Sequence, residues 1–177
     1  MRRWAIILSA VLAAFHGTPV SASEPQDELK SAIVLSFLRY SEWPADGPAV
    51  SSITVGVFGR PSFFQVLRRL LDGKSIGNRQ IRAVELTSLI DPACCQIIYL
   101  ATDKAPEITK ALLFSRGSHA LTIGESDRFL DAGGAVRLAL VDGHMTFQVD
   151  LNTVDRSGVV ISSKLLRYGE IKSRSKQ

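Results

Sequence analysis

Ile53-Thr54-Val55-Gly56-Val57-Phe58, followed at once by Gly59-Arg60-Pro61-Ser62 and then by Phe63-Phe64-Gln65-Val66-Leu67-Arg68-Arg69-Leu70-Leu71, decides the fold class. The first six residues read as a strand that ends at the Gly-Arg-Pro turn. Ser62 stands where it would cap a helix running to about Leu71, and Asp72-Gly73 closes that helix. The alternation continues downstream. Residues 80–86 read as a second strand, and 96–101 form a continuous apolar run, as expected of a strand covered on both faces. Residues 106–114 read as a helix, 119–123 as a strand, and 126–130 as a short helix ending in Asp131-Ala132-Gly133-Gly134. Strands and helices at this pitch predict an α/β fold: a mostly parallel sheet with helices on both faces. The pattern then changes to residues 135–141 and 145–150 around Asp142-Gly143, a C-terminal antiparallel hairpin. Residues 151–155 and 162–168 read as helical turns.

Upstream, residues 26–42 read as a helix with Leu29, Ile33, Phe37 and Tyr40 at helical spacing. It stops at Trp43-Pro44, because the residue before a proline avoids the helical region. Ala32, Val34, Leu35 and Leu38 add a second stripe, so apolar residues occupy most of its circumference. A helix of that kind is covered on two sides, the second cover being either another element of the domain or a partner chain. Asp46-Gly47-Pro48 reads as a turn.

The extreme amino terminus has a different character. Met1-Arg2-Arg3 is a basic head, Trp4 to Phe15 is a nearly continuous apolar run of 12 residues, and Val20-Ser21-Ala22 ends a small polar stretch. That order predicts a cleavable secretory signal over residues 1–22, cut after Ala22, since the run is shorter than the roughly 20 residues a membrane span needs. Residues 23–177 are then one domain of 155 residues in a periplasm. Cleavage removes Arg2 and Arg3, so the formal charge falls from +4 to +2, with 19 Lys and Arg against 17 Asp and Glu. So small a charge without a basic stripe gives nucleic acid no support as a partner. No later apolar run approaches a span, so membrane contact is expected only through a partner.

Catalytic signatures are missing. His119 and His144 have no Cys, His or carboxylate at ligand spacing, and no nucleophile elbow, phosphate-cradling loop or zinc motif occurs. Neither metal nor cofactor is implied. Arg60 and Ser62 follow a parallel strand and open a helix, the place where open α/β sheets bind ligands; an anion held there competes with a plain solvated turn. Gly124-Glu125-Ser126-Asp127 is an acidic counterpart after the fourth strand. Cys94 and Cys95 are adjacent, and neighbours on a strand face opposite ways. They read as buried core residues, a strained vicinal disulfide, or a bond between chains.

Several stretches together resemble one family. Residues 28–33, the Phe37-Leu38-Arg39-Tyr40-Ser41-Glu42-Trp43-Pro44 exit and Ile53 to Gly59 come first. They are followed by Gly73-Lys74-Ser75-Ile76-Gly77-Asn78-Arg79, Cys95-Gln96-Ile97-Ile98-Tyr99-Leu100, Leu121-Thr122-Ile123-Gly124, Val149-Asp150-Leu151-Asn152 and Ile161-Ser162-Ser163-Lys164-Leu165-Leu166-Arg167. In this order they are similar to the YfiR-like periplasmic proteins. The resemblance implies a dimeric repressor, not an enzyme, that binds the extracytoplasmic part of an inner-membrane diguanylate cyclase, holds it inactive, and lowers cyclic di-GMP and biofilm formation. An outer-membrane partner or redox stress relieves the repression in such proteins. Redox-sensing members carry spaced cysteines; here Cys94 or Cys95 matches one position and no second cysteine exists to pair with it. Phe37, Tyr40, Trp43, Phe63 and Phe64 are the aromatic candidates for partner or dimer contact where the core does not take them, with Lys164 and Arg167 as the charged ones. A periplasmic small-molecule-binding module built on Arg60 and Ser62 is the alternative.

Overall fold

The strand at Ser52–Phe58 (β2) is central because its two faces are filled alternately. Ile53, Val55 and Val57 enter one apolar layer, while Gly56 lies under Leu86 and Cys95 in the other. In a computed structural model the structure describes residues 24–44, 52–88 and 95–172. The expected leader, the expected Asp46-Gly47-Pro48 turn, Cys94 and residues 173–177 lie outside the described residues.

The chain opens with α1 (Glu24–Arg39) and β1 (Ser41–Glu42), then β2 and α2 (Pro61–Leu71). A small hairpin follows, β3 (Ser75–Ile76) with β4 (Arg79–Glu85), and then β5 (Ile97–Leu100), α3 (Ala105–Phe114) and β6 (Leu121–Gly124). β7 (Val136–Val141) and β8 (His144–Asp150) form the second hairpin. The chain continues through α4 (Leu151–Ser157), β9 (Val160–Ile161), α5 (Ser163–Leu166) and β10 (Glu170–Lys172). The large sheet has the order β10-β8-β7-β6-β5-β2-β4-β3, and β1 pairs with β9 apart from it. The strands from β4 to β7 are parallel, with β2 joined to β4 on one side and to β5 on the other. The winding therefore reverses between β2 and β5, whose carboxyl ends flank the crevice where such sheets bind ligands.

The expected α/β class, the parallel sheet and the antiparallel hairpin are all present. All four residues of β5 are buried, as its unbroken apolar run requires. In the hairpin, Asp142 and Gly143 both have positive φ (49° and 78°), the left-handed pair a two-residue turn demands. One face of the sheet carries α1, α2, α4 and α5 over a core in which Phe37 meets Phe147 edge-on at 5.1 Å. The other face carries α3 and Phe129.

Several local expectations are corrected. α1 ends at Arg39, not Glu42, because Ser41 and Glu42 pair with Ile161 and Val160. Ser62 does not cap α2: Pro61, with its φ already suited to a helix, takes the first position, Arg60 stands at the N-cap without a side-chain cap bond, and Ser62 is exposed. His119 is not in the strand; its φ is +56° and its Nδ1 lies 2.8 Å from the Ser157 carbonyl oxygen. Residues 127–133 form turns instead of a helix, folding Phe129 back until it is fully buried between Gly124 and Gly134. Of the aromatic contact candidates, Phe37, Phe63 and Phe64 belong to the core. They are not surface anchors, because the sheet face beneath α1 and α2 needs their bulk.

A Cβ at Gly134 would overlap the Phe129 ring. Gly134→Ala is expected to destabilise by about 1–3 kcal/mol, the usual range for overpacking. In a Phe129→Leu background the same change should cost clearly less, and urea unfolding of the four chains checks this.

Candidate functional site

The amino-terminal half of α1 breaks the rule that buried helix positions are apolar. Its inward residues are Asp27, Lys30, Ser31, Val34, Leu35, Phe37 and Leu38, whereas Leu29 and Tyr40, expected in the buried stripe, are 47% and 46% exposed. Asp27 and Lys30 are 3% and 7% exposed. Two such charges stay ionised out of water only if partners replace their hydration.

The partners come from the crevice at the reversal of winding. Arg60, just past β2, sends its Nη2 to Asp27 Oδ1 at 2.8 Å and to Glu125 Oε1 at 3.2 Å. Lys30 Nζ donates to Glu125 Oε2 at 2.6 Å and lies 3.7 Å from Asp27 Oδ1. Glu125, just past β6, also accepts from the Tyr99 hydroxyl of β5 at 2.7 Å. Two cations thus face two carboxylates, and the group is electrically closed. An apolar floor continues beneath it: the Arg60 guanidinium lies 5.3 Å from the Phe63 ring centroid, and Phe63 stacks on Tyr99 at 4.3 Å. Burial, then the charge and hydrogen bond of Glu125, push the Tyr99 phenol well above its ordinary 10.0. It is a neutral donor.

The arrangement therefore works as a clamp between α1 and the sheet. Arg60 Nη2 is already shared between two carboxylates, so the expected anion site is partly taken by the chain itself, and exposed Ser62 makes no cap bond. A cavity of about 230 Å3 adjoins the network, lined by Arg60, Ala101, Thr102, Asp103, Glu125 and Ser126. Among the described residues no group of three or more His, Cys, Asp or Glu is placed to hold a metal ion. Glu125 was visible as an acidic loop residue. Asp27, Lys30 and Tyr99 were missed, although Asp27 and Lys30 share the helix side of Val34 and Leu38 by their spacing.

The remaining candidates lie elsewhere. Trp43 is half-buried, and its indole N–H donates to the Gln96 carbonyl at 3.1 Å, tying the exit of α1 to the start of β5. Tyr40, Lys164 and Arg167 are exposed, and the Tyr40 carbonyl accepts from Ser162 N at 2.8 Å beside the β1–β9 pair. Arg167 lies 5.5 Å from the ring centroid of Tyr168, which is 72% exposed. Cys95 is fully buried.

The quoted family stretches have structural reasons. Asp150 caps α4 by accepting from Asn152 N and Thr153 N, Ser162 caps α5, and Gly77-Asn78 turns the first hairpin. The YfiR/HmsC-like family matches residues 27–170, from the first buried charge to β10. This chain belongs to the YfiR/HmsC-like family. Members of that family are periplasmic regulators of cyclic di-GMP signalling, a class of regulators and not of known enzymes. No curated protein matches the sequence. Among solved structures, a conserved domain protein from Vibrio cholerae aligns at TM-score 0.57 and 12% identity, over 82% of this chain and 60% of that one. The ABC domain in complex with L-Trp from Streptococcus pneumonia aligns at TM-score 0.53 and 9% identity, with the same coverages. At these identities the likeness is one of fold, and this YfiR/HmsC-like chain spans 60% of the length of each. Among the described residues no helix is long and apolar enough to cross a membrane.

Glu125→Gln leaves Lys30 buried without its closest counter-ion and is expected to destabilise by about 3 kcal/mol, the usual cost of breaking a buried pair. The double change Lys30→Met, Glu125→Leu should cost less than Glu125→Gln alone, as read by denaturant unfolding. A second expectation concerns alkaline pH. The folded chain keeps the Tyr99 proton that the unfolded chain releases near 10, so this contribution is whole below pH 10 and is lost as pH climbs above it. Tyr99→Phe should flatten the fall in stability between pH 9 and 11, relative to wild type.

Proposed function

We propose that this protein is a periplasmic repressor that binds the extracytoplasmic domain of an inner-membrane diguanylate cyclase and holds it inactive, lowering cyclic di-GMP and biofilm formation. Family membership over residues 27–170 is the observation that carries the reading. A leader over residues 1–22, removed after Ala22, delivers a single domain of residues 23–177 to the periplasm, where it works as a homodimer. Repression requires only that the protein prefer the inactive state of the cyclase. About 3 kcal/mol of preference shifts that balance roughly 100-fold.

The surface beside the β1–β9 pair fits such a contact. Tyr40, Lys164 and Arg167 survive from the sequence reading as exposed groups, and Val160 and Tyr168 join them at 63% and 72% exposure. An aromatic and basic mixture of this kind is typical of interface anchors. The clamp at Arg60 is partly buried between α1 and the sheet and serves to present α1 and the residues that follow it. A small-molecule module at Arg60 is the weaker alternative, since Asp27 and Glu125 already engage the guanidinium through Nη2.

Deleting the gene is expected to raise cellular cyclic di-GMP in a cyclase-dependent manner, and complementation with the secreted chain to reverse it. An unchanged level would overturn the proposal. Lys164→Glu with Arg167→Glu should leave the melting temperature within about 2 °C, because both side chains are exposed, yet weaken repression at least tenfold.

A further inference from the structure

A second cavity, of about 580 Å3, opens at the opposite end of the sheet from the clamp, where Ala120 and Ala135 lead into β6 and β7. Its floor is apolar, made by Leu112, Ala120 and Ala135. Its charged lining consists of Arg116 and Arg156, with no Asp or Glu on the wall. This is the reverse of the clamp, where each cation meets a carboxylate. Arg156 donates one Nη2 bond to Thr153 Oγ1 at 2.7 Å. The Arg116 side chain enters none of the hydrogen bonds or ion pairs among the described residues.

The hydroxyls divide in the same sense. Ser115 and Ser157 donate to the carbonyls of Leu112 and Val154, so their protons are committed to the backbone. Thr122 is 96% buried by its 4% exposure, and its Oγ1 accepts from Ala135 N at 3.0 Å. Its own proton has no acceptor among the described residues. The cavity therefore presents two guanidiniums and a buried hydroxyl donor above an apolar floor, in a volume within the roughly 300–1,000 Å3 of small-molecule sites.

We propose that this cavity binds a small organic anion, a carboxylate or phosphate carried on a compact apolar body. The head group sits between Arg116 and Arg156, and the body rests on Leu112, Ala120 and Ala135. The walls come from α3, the turn before β7, and α4, so an occupant links three segments distant in sequence and stabilises the fold by mass action. The site shares no residue with the clamp or with the proposed partner surface, and its test is independent of both.

Titration calorimetry and thermal unfolding of the purified protein with benzoate, phenyl phosphate and inorganic phosphate test this inference. At least one aromatic anion is expected to bind with a Kd below about 1 mM and to raise the melting temperature, with inorganic phosphate at least tenfold weaker. Arg116→Ala with Arg156→Gln should weaken that binding at least tenfold, Arg116→Lys should weaken it less than Arg116→Ala, and Ala132→Phe, which fills the exposed mouth, should abolish it. All variants should fold as wild type in the absence of ligand. The proposal is overturned if neither aromatic anion binds, if inorganic phosphate binds as tightly as they do, or if binding survives both the arginine changes and Ala132→Phe.

Discussion

Four charges closed on one another at the carboxyl end of the sheet set the position of α1, and much of the molecule follows from that. Asp27 and Lys30 cannot be buried alone, so the helix is admitted only in the rotation that meets Arg60 and Glu125. That rotation turns Val34, Leu35, Phe37 and Leu38 onto the sheet and leaves Leu29 outside. The exit of the helix is tied in turn, by the Trp43 indole to Gln96 and by the β1–β9 pair to the last part of the chain. The first and last segments of the domain are thereby held together without a covalent link between them.

The same constraint bears on function. In open α/β sheets the crevice at the reversal of winding is the usual ligand position. Here the chain's own Asp27, Lys30, Arg60 and Glu125 meet at it, and Tyr99 joins them as a neutral donor. What remains available to a partner includes the outward surface beside the β1–β9 pair, with exposed Tyr40, Val160 and Tyr168. A crevice occupied by the chain's own charges and a mixed aromatic and basic exterior are compatible with a protein that acts by binding, as proposed for this member of the YfiR/HmsC-like family.

The architecture was legible in the sequence wherever one physical rule governed a segment. The apolar run of β5, the Asp142-Gly143 turn and the alternation of strands and helices all did so. The short pairs β1–β9 and β8–β10 were not legible, because two- and three-residue strands carry no period and depend on tertiary approach. The stripe of α1 was misread because apolar periodicity assumes that charge points outward, and the shortest contacts of Asp27 and Lys30 come from residues 33 and 95 positions away. Arg60 was singled out for its place after β2, yet its carboxylate partners converge only through the fold. Phe63 and Phe64 show the same limit in reverse, since an aromatic pair in a basic amphipathic helix reads alike as surface anchor and as core.

The central claim is that the folded protein silences a membrane cyclase by direct contact. Its most direct test is the turnover of the inner-membrane diguanylate cyclase, reconstituted in nanodiscs with its extracytoplasmic domain accessible and titrated with the purified protein. Cyclic di-GMP production should fall to a low plateau as the sites saturate, and recover when the protein is removed. Turnover that stays constant at saturating protein would contradict the account.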